Sequence, residues 1–260
     1  MLMSVTRIQR DRAFKVVRNP PHRSQLCTHP RNLTKGTLDL DLHLCPAYAE
    51  ILERVKNGYQ FLDLGCCFAQ EVRLLVSDGA FSQNVFGVDL VEDFINLGYD
   101  LFLDKEKINA KFLVSNLFDT DSIVSKELTG KLDIIHASNF FHLWSWTKQI
   151  EASKAVVKLL ADKPGSLIIG SQVGSKKSRM TTMPGLILTL FTQSVRTFKL
   201  MRGEILRDLG VDFEVKAFET EFLDKEAFMG GRRSLSFEVG FYGEECLVDT
   251  SYLGSGFLMR

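Results

Sequence analysis

The sequence predicts an α/β fold: a mostly parallel sheet with helices on both faces and an antiparallel hairpin at its carboxyl end. Three observations carry this. Five short apolar runs recur along the middle of the chain, helical periodicity fills most of the gaps between them, and two alternating apolar/polar segments follow the last helix. The runs are nearly continuous in apolar character, as expected of strands covered on both faces.

Pro46 to Val55 reads as a short helix that Gly58 ends. Gln60 to Leu64 is the first strand, closed by Gly65, and Gln70 to Ser77 is a helix with Val72, Leu75 and Val76 on one face. Asn84 to Asp89 is the second strand, followed by a helix from Glu92 to Leu103. Lys111 to Ser115 and Leu132 to Ala137 are the third and fourth strands. Trp144 to Leu160 has helical spacing and ends before Lys163-Pro164-Gly165; Ser166 to Gly170 is the fifth strand. Ser194 to Leu209 is a further amphipathic helix. Phe213 to Glu219 and Leu235 to Phe241 alternate as exposed or edge strands do and form the hairpin, joined by a loop holding Gly230-Gly231.

At 260 residues and 29.4 kDa the chain has room for one large domain with a substantial core. It is 45% apolar and 25% charged, with a mean hydropathy of +0.01. No apolar run approaches the ~20 residues that span a bilayer. The amino end has no long apolar stretch of the secretory kind. Basic and acidic residues number 32 each, but residues 1–35 hold eight basic groups against one acid, Asp11, so the body is net acidic. An acidic body argues against nucleic acid as partner, because that affinity rests on neutralising phosphates. The five cysteines include no C-x-x-C pair, which points to free thiols in a reducing, cytoplasmic setting.

Residues 1–45 carry no sustained period and read as a flexible basic arm, for which a transit peptide, a solvated tail and a mispredicted first exon all fit. Residues 46–242 form the domain, and 243–260 a tail.

In an open parallel sheet, ligands bind beyond the carboxyl ends of the strands, where strand order reverses. That end collects Asp63 to Ala69, Asp89-Leu90, Ser115-Asn116, Ala137 to Trp146 and Gly170 to Gly174. Gly65 stands between strand and helix, where a missing Cβ admits close approach of a nucleotide or a nucleoside sulfonium. A dinucleotide fingerprint would also have Gly at 67 and 70, where this chain has Cys67 and Gln70. Asp89, closing the second strand, suits the two hydroxyls of an adenosine ribose, in NAD or S-adenosylmethionine alike, or is a solvated Asp opening a turn before the helix. Asn116 offers an amide to adenine or serves an ordinary turn. His136 lies within a strand and reads as a core histidine. His142, among Phe140, Phe141, Trp144 and Trp146, is the candidate general base, with positioning or packing as the alternative. The segment Met180 to Phe191 reads as an apolar substrate wall or as core. The histidines show no metal-ligand spacing, and no metal is expected.

Phe61-Leu-Asp-Leu-Gly-Cys-Cys-Phe-Ala-Gln-Glu71 resembles the first motif of class I S-adenosylmethionine-dependent methyltransferases. More narrowly, it is similar to fungal methyltransferases of meroterpenoid and related secondary-metabolite pathways. Val85 to Leu90 with Phe94 to Tyr99, Asp133 to Leu143 and Pro164 to Gly174 fit the same group, so the resemblance covers residues 46–242. It implies a Rossmann-like, seven-stranded sheet with a reversed hairpin and S-adenosylmethionine as cofactor. Gly65 and its neighbours would hold the methionine end and Asp89 the ribose. The candidate cofactor residues are Asp63, Gly65, Cys66, Cys67, Asp89, Leu90, Asn116, Leu117 and Ser138; the candidate substrate residues are Phe141, Trp144 and Gln172. Two positions depart from the family: Asn116 replaces an Asp beside the adenine, and Ala69 replaces a glycine. If residue 69 requires a positive φ, its methyl costs about 1 kcal/mol or more.

The implied activity is O-methylation of a terpenoid or polyketide-derived small molecule at a carboxyl or hydroxyl group. Methyl transfer requires alignment and exclusion of water more than acid–base chemistry. A homodimer is compatible with this reading. The rival readings are a methyltransferase-like protein without methyl transfer (a cyclase, an isomerase or an inactive relative), a nicotinamide-dependent oxidoreductase, and a nonenzymatic interaction module using the basic arm.

Overall fold

Apolar residues on alternate sides of the central strands dictate two helical layers. The computed structural model describes residues 40–182, 189–220 and 232–241. The elements in order are α1 (Tyr48–Lys56), β1 (Phe61–Leu64), α2 (Gln70–Ser77), β2 (Val85–Asp89), α3 (Glu92–Phe102), β3 (Lys111–Val114), α4 (Ile123–Leu128) and β4 (Ile134–His136). They continue with α5 (Trp146–Leu159), β5 (Leu167–Ser175), β6 (Arg179–Thr182), β7 (Thr189–Thr192), α6 (Val195–Leu209), β8 (Glu214–Thr220) and β9 (Arg232–Gly240).

Seven strands form one sheet in the order β3-β2-β1-β4-β5-β9-β8. β1 to β5 run parallel, and β9 pairs antiparallel with both β5 and β8. Phe61, Val85, Ile134, Leu167 and Ile169 pack with Ile51, Val55, Val72, Leu75 and Ile95 of α1, α2 and α3. Leu62, Leu64, Val88, Ile135 and Ile168 face the other way, onto Val124, Val156, Phe198 and Leu206 of α4, α5 and α6. The period of two in the strands thus supplies both cores. Fully burying residues such as Val72 and Leu75 contributes about 1.5–3 kcal/mol each. Ser194 caps α6 through a capping box with Thr197, and Gly210, at φ 67°, ends it.

Four features differ from the sequence-based expectation. β5 runs on to Ser175 because β9 pairs with it along its whole length, Leu167 opposite Gly240 through Ser175 opposite Arg232. β9 consequently lies inside the sheet, and β8 alone is the edge of that pair. The short helix α4, capped by Ser122, is too brief to show a period. Arg179–Thr182 and Thr189–Thr192 pair as a small antiparallel hairpin within the stretch expected to be a substrate wall; residues 183–188 of that stretch lie outside the described residues.

The amino-terminal boundary also moves. Residues 41–44, assigned by the sequence to the arm, are docked: Leu42 is buried, and the amides of Asp41 and Leu42 donate to Glu71 Oε1 at 2.6 and 3.3 Å. Residues 1–39 of the arm, the Gly230-Gly231 loop and the 243–260 tail lie outside the described residues. Among the described residues, no helix is long and apolar enough to cross a membrane, and no group of His, Cys, Asp and Glu is arranged to hold a metal.

Candidate active site

Strand order reverses between β1 and β4, which opens a crevice at their carboxyl ends. The β1–α2 loop enters it at Gly65. The Gly65 and Cys66 amides both donate to Val88 O, at 2.8 and 3.0 Å, which folds the loop across the end of β2. Gly65 has φ +75°, and a Cβ there would lie 2.8 Å from the Phe140 ring. Cys67 and Ala69 also sit in the left-handed region, at φ 50° and 54°. The strain expected at Ala69 is therefore present.

Several groups hold this bend. Asp89 Oδ2 accepts from the Cys67 amide at 2.9 Å, and its Oδ1 accepts from Val91 N at 2.9 Å. Burial raises the Asp89 pKa, against the pull of those two hydrogen bonds. Arg73 donates to the carbonyls of Phe68 (2.6 Å) and Ala69 (3.3 Å) and is neutralised by Asp104 at 2.7 Å. Helix α3 comes so near that a Cβ on Gly98 would meet Phe68 O at 2.6 Å.

On the far side of β1, Asp63 Oδ1 and His136 Nδ1 are 2.9 Å apart, and His136 Nε2 lies 2.9 Å from Ser138 Oγ. Ser138 Oγ also accepts from Ser171 N at 3.2 Å. Burial works against a charged His136 ring, yet the hydrogen bond to Asp63 and the carboxylates of Asp63, Glu71 and Asp41 raise its pKa overall. The expectation of a core histidine captured its burial but missed the chain it forms.

Two side chains expected in the site, Cys66 and Phe141, lie in the core, and a third, Asn116, holds a turn. Cys66 is buried among Phe61, Val72 and Ile95, where burial pushes its thiol well up; only its backbone belongs to the bend. Phe141 lies in the core, with the Arg202 guanidinium 4.2 Å from its ring centre and Phe237 at 6.0 Å. It packs under α6 because the turn Phe141–Leu143 presents its neighbour, Phe140, to Gly65 instead. Asn116 is exposed, and its Oδ1 accepts from Phe118 N at 3.0 Å in a turn. Ser115, just past β3, is buried with an unpartnered Oγ.

Leu90 is exposed beside Asp89, and Leu117 is half-buried against the core. Trp144 meets Phe140 (4.7 Å) and Phe118 (5.3 Å) edge-on, forming a half-buried aromatic rim. Phe118 went unnoticed because one phenylalanine in a loop carries no pattern. His142 is buried, its Nδ1 has no partner, and burial lowers its pKa to about 4. Gln172 on β5 is buried with neither side-chain atom bonded. The turn bearing His142 packs against β5 and β7.

This bend carries no basic side chain free to meet a pyrophosphate: the guanidinium bonded to it, Arg73, is neutralised by Asp104, while the carboxylates of Asp63, Glu71 and Asp89 gather around it. The donor set fits a nucleoside bearing positive charge and disfavours a dinucleotide.

Solved structures share this architecture. A 1,6-didemethyltoxoflavin-N1-methyltransferase of Burkholderia thailandensis, solved with its substrate and S-adenosylhomocysteine, superposes with a TM-score of 0.55 at 13% identity, over 91% of this chain and 88% of that one. The methyltransferase domain of a bacterial Hen1 gives 0.54 at 16% identity, over 78% and 100%. The [4+2]-cyclase SpnF gives 0.51 at 12%, over 74% and 80%. This is the class I methyltransferase fold. The chain also resembles fungal methyltransferases in sequence. It is 38% identical over 194 residues to O-methyltransferase phiE of a fungal species, covering 74% of this chain and 64% of that one. It is 46% identical over 133 residues to the Asnovolin E/Chermesin D methyltransferase nvfJ of Aspergillus novofumigatus, covering 51% and 48%. Methyltransferase adrK of Penicillium roqueforti is 36% identical over 184 residues, covering 71% and 66%. The chain thus spans about half to two thirds of the length of these relatives. No protein-family model matches it. The cofactor implied by these likenesses is S-adenosylmethionine.

Proposed function

We propose that the protein is an S-adenosylmethionine-dependent O-methyltransferase acting on a carboxyl group of a terpenoid or polyketide-derived small molecule, in a reducing, cytoplasmic setting. The observation that carries it is the Gly65 bend, tied through Cys67 N to Asp89 at the strand-order reversal. The resemblance to O-methyltransferase phiE supports oxygen as the methylated atom.

Bound here, the cofactor supplies a methyl group activated by a positively charged sulfur. Asp89 would accept from the ribose hydroxyls and Gly65 would let the methionine end approach the backbone. Phe118, Phe140 and Trp144 would exclude water. His142 and the Gln172 amide would orient the acceptor. An imidazole whose pKa is lowered to about 4 is a poor base for an alcohol or phenol, whereas an ionised carboxylate has no proton to lose. The acceptor that suits His142 is therefore a carboxylate.

Calorimetry with S-adenosylhomocysteine and with NAD tests the cofactor, with binding expected only for the first. Incubation with methyl-labelled cofactor and paired acids and alcohols of the same skeleton tests the acceptor. Label on the acids is expected. Label on the alcohols alone contradicts the carboxylate assignment, and cyclisation or isomerisation without label contradicts methyl transfer.

A further inference from the structure

Asp63, His136 and Ser138 form a hydrogen-bonded chain that the reading above does not use. It starts inside the sheet and ends at the crevice. Asp63 pairs with His136 across β1 and β4, which sets Ser138, two residues further on, level with Gly65. Asp63 and His136 are buried, while Ser138 is half-buried at the crevice.

The charges around the imidazole are one-sided. Asp63 on β1, Glu71 on α2 and Asp41 before α1 all act on it, and the ring of Phe61 lies alongside at 6.4 Å. A buried carboxylate is costly unless it is paired or hydrogen-bonded, and the ion-pair partner of Asp63 among the described residues is His136. A ring protonated on both nitrogens donates to Asp63 and to Ser138 Oγ. Ser138 Oγ then accepts from His136 and from Ser171 N, and its own proton has nowhere inward to go. Were Nε2 bare, Ser138 would donate inward and show the crevice only lone pairs. The protonation of a buried ring thus sets which way a half-buried hydroxyl points.

We propose that Asp63 and His136 act as positioning residues that turn the Ser138 hydroxyl outward, as a hydrogen-bond donor to the carboxylate of the cofactor's amino-acid end. This rests on the cofactor reading above and deepens it. A site rich in carboxylates (Asp63, Glu71, Asp89) repels another one, and an outward-pointing donor backed by an imidazolium offsets that repulsion.

The test compares S-adenosylhomocysteine with its decarboxylated analogue, which keeps the adenosine, thioether and amine. In Ser138→Ala, affinity for S-adenosylhomocysteine is expected to fall by about tenfold to a hundredfold, with the analogue unchanged. In the native chain, the preference for the carboxylated nucleoside falls as pH rises through the His136 titration, and Ser138→Ala removes that dependence. Ionisation of Glu71 adds its own repulsion toward the carboxylated nucleoside, so the comparison is repeated in Glu71→Gln, where the fall with pH and its loss in Ser138→Ala are both expected to persist. A long-range proton–nitrogen spectrum is expected to show both His136 ring nitrogens protonated at neutral pH. A single ring proton there, or an unchanged ratio in Ser138→Ala, overturns the proposal and leaves the cofactor reading standing. If the native chain binds neither nucleoside, the cofactor reading fails and takes the proposal with it.

Discussion

On the side of the crevice formed by β1, β2 and β4, Asp63, His136, Ser138 and Asp89 all have protein partners. On the side formed by the 141–143 turn, β5 and β7, His142 Nδ1 and both polar atoms of Gln172 are buried without one. A satisfied polar network is rigid and specifies one geometry, whereas each unsatisfied buried group costs about 1–3 kcal/mol. The first side, Glu71 Oε2 and Ser115 Oγ at its margin apart, is prebuilt for a ligand of fixed shape. The second keeps polar atoms in reserve, as a wall for a variable acceptor would.

The largest effect is expected at Asp89. Asp89→Ala removes both the proposed ribose acceptor and the anchor of Cys67, and should weaken S-adenosylhomocysteine by about a hundredfold in calorimetry. Unchanged affinity would break the assignment of this side to the cofactor.

Next comes the pH response of Glu71, whose carboxyl is raised by burial from its ordinary 4.5 to about 7. Its contribution to stability is full below pH 4.5 and is lost as pH rises through about 7, by up to about 3 kcal/mol. Denaturant unfolding of Glu71→Gln should lack that part of the slope and be the more stable at pH 8. An equal slope in both proteins would show that the carboxyl titrates normally.

On the acceptor side, Gln172→Leu should raise stability by about 1–2 kcal/mol while lowering turnover and leaving S-adenosylhomocysteine affinity intact. Loss of stability would mean that the amide has a partner after all, and the contrast between the two walls would shrink.

The smallest effect belongs to Ala69→Gly. Relieving the left-handed alanine at φ 54° should add about 1 kcal/mol at most, since glycine also loosens the unfolded chain, and should tighten nucleoside binding in proportion.

The strands and the bend were legible because burial on both faces leaves continuous apolar runs, and because Gly65 and Asp89 each close one. α2 begins at Gln70 and ends at Ser77 as its periodicity indicates. What the sequence hid depends on the third dimension. Phe140 and Phe141 are adjacent and chemically identical, yet one faces Gly65 and the other the core, a choice made by the turn between β4 and α5. His136 looked inert because its partners, Asp63 and Ser138, meet it only once β1 and β4 are paired. The length of β5 was set by a strand about sixty residues later in the chain.

That last pairing has a consequence for assembly. β9 is the latest strand among the described residues, yet its place is between β5 and β8. Until it arrives, the nine residues of β5 offer a bare row of amides and carbonyls to any extended segment nearby. A nascent or truncated chain ending before Arg232 would carry an open seam there, and its first hazard would be sticking to its own kind rather than failing to fold.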